Sequence, residues 1–401
     1  DIIAGISLYR PGPMDQIPRY VACKNDASQV SYSTPLLKPI LSPTYGCMVY
    51  QEQVMQIVRD LAGYSLGHSD LVRRAMSKKK KDVMAREREA FIEGCEGNNV
   101  PKTVAVEIFD SMMDFAQYAF NKSHAAAYAV IAYRTAWLKA HYPAEFMASL
   151  INSFIDRADK VAEYVYSCRK QGIEVLPPDL NRSQARFSVE KGEEGKKQIR
   201  FGLGALRNVG VAACRAIVAE REQNGPFADF FDFLRRAGGY VNKRMVEALI
   251  NSGSLDSMGY KRAALIAVSG RAMDAAAEER RRAGEGQTSL FDMMGDEPDE
   301  AAQIALPDLE EYPLQTRYAL EKEAAGLYIS GHPLEEYERE LTALGVTIRD
   351  ILDANEEGGA VRDNQTVRIG GIINQVRRKA TRSGSMMAYV TVEDDTGSME
   401  L

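Results

Sequence analysis

The sequence predicts a mainly α, multidomain protein that ends in a short β segment. Apolar residues recur at helical spacing through the first part of the chain, two short helix-turn-helix patterns follow one another between residues 198 and 267, and from Thr366 the hydrophobic period switches to two. At 401 residues the chain has room for roughly two to four domains. With 45% hydrophobic and 26% charged residues it is not disordered throughout.

Residues 1–190 are read as one helical domain. Its clearest helix spans residues 50–61, where Val54, Ile57, Val58 and Leu61 share a core-facing side. Arg10-Pro11-Gly12-Pro13 and residues 35–45 are expected to be extended or turning, because each proline biases its predecessor away from the helical basin. A second long helix is expected over residues 123–141, with Ser123 as N-cap and Pro143 just past its end; apolar nearly all round, it is expected to be buried. Residues 191–270 carry the two helix-turn-helix patterns. In the first, residues 202–210 lead into a periodic run over 211–221. In the second, residues 242–248 lead through Ser252-Gly253 into a helix from Tyr260, with another helical stretch over 272–282. Residues 271–311 include a low-complexity linker from 283 to 308, and residues 312–362 form a connecting helical segment containing Gly331-His332-Pro333. In residues 363–401, Val367, Ile369, Gly371 and Ile373 alternate with mostly polar neighbours, as do Met387, Tyr389, Thr391 and Glu393 beyond a turn at Ser383-Gly384. This segment is expected to be a small barrel or sheet short of its remaining strands.

No uncharged apolar run approaches the roughly 18 residues a membrane-spanning helix needs, so no membrane association is expected. The chain begins at Asp1 without a basic, apolar leader; it is expected to carry no export signal and to be cut from something longer. Five cysteines, odd in number and without a C-x-x-C pair, suit a reducing cytoplasm and argue against structural zinc; they are read as free buried thiols.

The net charge of -6 gives no global argument for nucleic-acid binding, but the charge is sorted by segment. Residues 71–88 hold eight basic side chains against two acidic ones, whereas residues 292–311 hold eight acidic ones and no basic one. In the basic run, Arg74 and Lys78 lie four apart on a helix, and their heads converge either on a polyanion or merely on a solvated face. Phe120-Asn121-Lys122-Ser123-His124 stands at an expected helix N-terminus, where unpaired N–H groups and the positive dipole end hold a phosphate; an ordinary cap is the alternative.

These residues resemble the fingers of the C-family of bacterial DNA polymerases, the alpha subunits of DNA polymerase III. The matching strings are Leu8-Tyr9-Arg10-Pro11-Gly12-Pro13, Pro43-Thr44-Tyr45-Gly46, Tyr50-Gln51-Glu52-Gln53, Arg73-Arg74-Ala75-Met76, residues 120–128 and Lys139-Ala140-His141-Tyr142-Pro143. The resemblance covers the whole chain. It implies a fingers domain over 1–190, a tandem helix-hairpin-helix unit over 191–270, a clamp-binding linker over 271–311 and a truncated OB-fold over 363–401. By residue match it assigns incoming-nucleotide contacts to Arg73 and Arg74, with Asn121, Lys122, Ser123 and His124 close by and Lys78 less firmly. It also implies that the Mg²⁺-binding catalytic aspartates belong to a palm outside this chain, so that residues 1–401 supply no catalytic or metal-ligating side chain and do not polymerise alone. Asp394-Asp395 reads as hairpin-turn chemistry.

A glycine-containing hairpin exposes successive N–H groups that accept a phosphate oxygen without reading a base. Arg207, Asn208 and Gly210 have that form, with Asn208 where the family's first hairpin glycine usually stands; the second hairpin, Val241-Asn242-Lys243-Arg244, lacks glycine and is read as more structural. Gln287-Thr288-Ser289-Leu290-Phe291 resembles the pentapeptide that docks on the β sliding clamp, with Gln287 at the rim and Leu290 and Phe291 in an apolar pocket. Arg377 and Arg378 supply charge to the β segment, and Tyr389 is its sole stacking aromatic. The implied partners are primed DNA template, deoxynucleoside triphosphates, the β sliding clamp and other DNA polymerase III holoenzyme subunits, with a moderate preference for the replicative over the error-prone paralogue. A non-catalytic DNA-binding scaffold and a pure clamp-interaction module are the rival readings.

Overall fold

In the computed structural model, all residues are described except 12, 78–80, 117–119, 193–194, 285–303, 355–360, 363 and 381–385. The chain divides into two compact units, Asp1–Ala140 and His141–Leu401.

The first unit is helical. Helix Gln51–Ala62 buries Val54, Ile57, Val58 and Leu61, the stripe its spacing predicts. Gln53, itself 4% exposed, accepts the Val49 and Tyr50 N–H groups on Oε1, and its Nε2 donates to the Ile40 carbonyl and Thr44 Oγ1. Around this helix pack Leu66–Ser77, Lys81–Gly97 and Lys102–Ala116, closing a core of Phe91, Phe109, Met112 and Cys95. The approach is close at Gly94: a Cβ there would stand 2.3 Å from the Ala62 carbonyl oxygen, so only glycine fits.

The second long helix spans Lys122–His141, but two expectations about it are corrected. Its N-cap is Asn121, whose Oδ1 accepts the His124 N–H at 2.9 Å, while Ser123 Oγ donates to the same oxygen. Nor is it buried: Tyr128, Val130, Ile131, Tyr133, Trp137 and Leu138 are exposed, and only Ala125 and Ala129 are covered. Apolar content shows what a helix can bury, not what the chain brings to cover it.

In the second unit, helices Pro143–Ser153 and Ala158–Lys170 share one core with buried residues drawn from Ile173 through Ala276 and with Ala325 and Leu327. Residues 141–190, expected with the first domain, therefore fold with the second, because Met147, Ile151, Val165 and Cys168 are buried in the same cluster as Phe201, Ile217 and Phe230. Strands β1 (Val175–Leu176), β2 (Ser188–Lys191) and β3 (Lys197–Arg200) form a sheet in the order β1-β3-β2, parallel then antiparallel. Helices Val211–Asn224, Phe230–Ala237, Lys243–Asn251 and Arg262–Gly284 follow; the last is one helix where the pattern suggested two. Glu311, inside the acidic stretch, accepts the Arg262 and Ala263 N–H groups and so caps that helix. Arg262 is 3% exposed at its side chain and pairs with the fully buried Glu321 of helix Leu314–Ala325 at 3.0 Å. Glu321 also accepts from the Ile329 and Ser330 N–H groups, tying residues 314–330 to the hairpin unit.

The C-terminal segment is a three-stranded antiparallel sheet of β4 (Ile372–Ala380), β5 (Met386–Glu393) and β6 (Ser398–Glu400), in that order. Its first strand starts at Ile372; residues 366–371, whose alternation suggested strand, lie outside it. All five cysteines are buried and unpaired with one another.

Arg262 also pairs with Asp256 at 2.6 Å, so removing Glu321 takes one of its two carboxylates and leaves the Ile329 and Ser330 N–H groups without an acceptor, each such buried loss costing about 1 to 3 kcal/mol. Glu321→Ala should therefore lower the urea midpoint of the second unit, whereas Glu321→Gln, which keeps an acceptor oxygen, should lower it less. A Glu321→Ala protein that unfolds at the parent midpoint would contradict this.

Candidate functional site

The start of helix Gln51–Ala62 brings together segments distant in sequence. Tyr50 and Phe120 form a parallel β-bridge, and the Gln51 N–H donates to the Phe120 carbonyl at 2.9 Å. The next residue, Glu52, accepts the Lys122 N–H on its carboxylate at 3.0 and 3.1 Å, filling one of the donors that a helix N-terminus leaves unpaired. From the other side, Arg73 Nη1 donates to Gln51 Oε1 at 3.0 Å. Gln51 thus touches both the arginine pair and the Phe120–Lys122 segment.

Arg73 and Arg74 lie on helix Leu66–Ser77, and both turn to Asp70, three and four residues back. Arg73 donates from Nε and Nη2 to Oδ1 at 2.9 and 2.7 Å; Arg74 reaches Oδ2 through Nε at 2.8 Å. The hydrogen bonds from Arg73, opposed in part by desolvation and helped by the charges of both arginines, hold the Asp70 carboxyl below its ordinary range.

Beside this pair runs an aromatic and cationic ladder. The Arg10 guanidinium lies 4.3 Å from the centre of the Phe120 ring, Phe120 meets His124 edge-on at 5.4 Å, and His124 meets Tyr128 at 4.9 Å. The Lys122 ammonium stands 5.3 Å from the centre of the Tyr50 ring. Arg73, Arg74, Asn121, Lys122, Ser123 and His124 are therefore joined through Tyr50, Gln51 and Glu52. Lys78 lies outside the described residues. Arg10, Gln51, Glu52 and Asp70 were given no role by sequence; only the Asp70 spacing to the arginines offered a signal.

In the second unit, the first hairpin turns at Asn208 with φ 64°, the left-handed conformation that asparagine tolerates. The Arg207 N–H is taken by the Ala324 carbonyl at 2.6 Å, and Gly210 stands immediately before helix Val211–Asn224. The connection between helices Phe230–Ala237 and Lys243–Asn251 begins ahead of Val241, with Gly238 and Gly239 before Tyr240, so the glycine-free stretch 241–244 is only its second half and the start of the helix. At Gly238 a Cβ would stand 2.1 Å from the Leu234 carbonyl oxygen and 2.4 Å from Arg280 Nη1, which hydrogen-bonds that same carbonyl. Asn242 caps the following helix through the Met245 N–H, and Lys243 and Arg244 are exposed in its first turn. On the C-terminal sheet, Arg377 lies 5.8 Å from the centre of the cross-strand Tyr389 ring and pairs with Glu400, while Arg378 is exposed opposite Ala388. Gln287, Leu290 and Phe291 lie outside the described residues.

No group of three or more His, Cys, Asp or Glu among the described residues could hold a metal ion. Asp394 is committed to its turn, accepting Thr396 and Gly397 N–H groups on Oδ1 and the Ile348 N–H on Oδ2. It therefore does not fit as a magnesium ligand.

Along the chain, the guanidinium and ammonium groups at this helix start are followed by two helical hairpins. Residues 1–99 match the bacterial DNA polymerase III alpha subunit finger domain, and residues 172–265 match the helix-hairpin-helix motif. The whole chain aligns with the DNA polymerase III alpha subunits of Thermus aquaticus at 46% identity, Deinococcus radiodurans at 44% and Neisseria meningitidis serogroup B at 43%. It covers 32%, 30% and 33% of their respective lengths. These matches support a fragment of a bacterial DNA polymerase III alpha subunit, and the chain spans about a third of the curated relatives it matches. No helix among the described residues is long and apolar enough to cross a membrane.

The depressed Asp70 carboxyl carries a signed consequence. The Asp70 contribution to the arginine pair is complete above the ordinary carboxylate range and is lost as pH falls through the lowered value of the folded state. In a carbon-detected NMR titration, Arg73→Ala should move the Asp70 midpoint upward; an unmoved midpoint would remove Arg73 as its cause.

Proposed function

We propose that this chain supplies the nucleotide-binding and DNA-backbone-binding portion of a DNA-directed DNA polymerase of the replicative type, acting in templated DNA synthesis. What carries the reading is the double engagement of Gln51, which links the arginine pair on one helix to the lysine and histidine at the start of another. Like charges so close together repel, and a polyanion relieves that repulsion. Arg73 and Arg74, with Asn121, Lys122, Ser123 and His124 close by, are the groups proposed to form the cradle for the triphosphate of a deoxynucleotide, with Lys78 as a further contact. Arg207, Asn208, Gly210, Lys243 and Arg244 are proposed to hold the phosphate backbone of primed template, and Arg377 and Arg378 to hold its single-stranded part on an OB-like sheet. Magnesium is proposed to act with carboxylates of the polymerase outside residues 1–401, so that this chain alone does not extend a primer. Gln287, Leu290 and Phe291 are proposed to dock the β sliding clamp within a cytoplasmic holoenzyme.

Deoxynucleoside triphosphates should slow amide exchange around Arg73 and His124. A scaffold that binds only DNA or clamp gives no such protection, and its absence would end the nucleotide assignment. Replacing Lys243 and Arg244 by alanine should weaken DNA binding without regard to sequence and flatten its salt dependence by about two phosphate contacts. Leu290→Ala with Phe291→Ala should abolish clamp binding in solution; unchanged affinity would defeat the docking peptide.

A further inference from the structure

We infer that Asp70 is a positioning residue of the nucleotide cradle: it locks Arg73 in place and presents Arg74, and Arg74 is the guanidinium of the pair that reaches the triphosphate. This deepens the nucleotide reading above and rests on it.

The two arginines are held differently. Arg73 spends Nε and Nη2 on Asp70 Oδ1 and Nη1 on Gln51 Oε1, three donors on two fixed acceptors, and its side chain is 25% exposed. A planar fork pinned at three nitrogens cannot turn toward a ligand without breaking several charge-assisted bonds at once. Arg74 meets Asp70 at the second oxygen, Oδ2, and its side chain is 64% exposed. One carboxylate thus carries both, with one oxygen for the fixed arginine and the other for the solvent-facing one.

Helical spacing makes this possible, since residues three and four apart stand one above the other on a single face. It also explains why an acid belongs among cations meant for a polyanion. Without a ligand, adjacent guanidinium groups repel and splay; a shared carboxylate holds them together and narrows the rotamers Arg74 samples. A phosphate oxygen then replaces Asp70 Oδ2 at Arg74, while Arg73 keeps Oδ1 and with it the orientation of the carboxylate. Arg73, through Gln51, ties this arrangement to the segment that carries Lys122 and His124.

The experiment is steady-state incorporation of one deoxynucleotide on primed template with Mg²⁺, by the complete polymerase carrying this chain, with thermal midpoints recorded for every variant. Arg74→Ala should raise the nucleotide KM by about tenfold or more. Asp70→Ala should raise it in the same direction with kcat changed less than about twofold, and should add less than about twofold when Arg74 is already alanine, because it acts through that residue. Asp70→Asn keeps the acceptor oxygen for Arg73 and loses the charge, so its KM should fall between parent and Asp70→Ala. It carries the same test, alone and with Arg74→Ala, where Asp70→Ala fails to fold. If Arg74→Ala leaves KM at the parent value, the nucleotide cradle itself is wrong. If Arg74→Ala raises KM but the Asp70 variants do not, or raise it equally with and without Arg74, the cradle stands and the positioning role is overturned.

Discussion

The cradle hangs on one buried side chain. Gln53 closes the start of helix Gln51–Ala62 by taking two backbone N–H groups on its carbonyl oxygen, and its amide donors are spent on the Ile40 carbonyl and Thr44 Oγ1. A buried amide satisfied on both ends has no alternative arrangement of equal energy, because each unmade bond leaves a desolvated polar group behind. Tyr50, Gln51 and Glu52 therefore project from a fixed backbone, and these three hold the bridge to Phe120, the bond from Arg73 and the contact to the Lys122 N–H. Otherwise separate helices thus meet at one shared junction that cannot slide, the frame of the proposed nucleotide cradle.

Upon that frame the electrostatics are arranged by counter-charge. In the proposed reading, cations gathered for a polyanion destabilise their own scaffold, and Asp70, one helical turn before Arg73 and Arg74, offsets part of that repulsion, while Glu52 closes a backbone donor. Asp70 lies between Arg73 and Arg74, and Glu52 lies at the N–H of Lys122. The carboxylate of Glu52 at a helix N-terminus also sits favourably in the dipole field. A basic composition alone would leave these groups splayed in solvent. The paired acids are what turn a charged face into an oriented one.

How much of this was legible follows from which forces act locally. The stripe Val54, Ile57, Val58 and Leu61 is a periodic signal within one helix, and it matches the buried face. The left-handed turn at Asn208 is likewise a property of one residue and its neighbours. The N-cap went to Asn121 instead of Ser123 because capping depends on which side chain reaches the N3 N–H, and two adjacent polar residues compete for that role. The burial of Lys122–His141 and the membership of residues 141–190 were misread for another reason. Both depend on which surfaces meet in space, and apolar content carries no address. In the site, the cationic residues announced themselves by type and position, whereas Gln51 and Asp70 are ordinary polar residues whose importance lies wholly in what they touch.

The hairpin unit shows the same logic applied to backbone donors. In the proposed reading, phosphate is held by N–H groups, and a loop rich in such groups has more than it needs. The Arg207 N–H is closed by the Ala324 carbonyl, which leaves Asn208, Gly210 and the first turn of helix Val211–Asn224 as the exposed donor edge. The acceptor comes from the C-terminal end of the helix that carries Glu321, the buried partner of Arg262. One ion pair in the interior and one backbone bond at the surface thus hold the same helix against the hairpin unit. The geometry proposed for a phosphate then depends on the core beneath it, since a shift of helix Leu314–Ala325 would at once reopen the Arg207 donor and part the buried Glu321 from Arg262. Sequence-independent recognition of a DNA backbone, as proposed, asks for a constant surface, and a helix held both at the donor edge and in the core resists displacement of that edge.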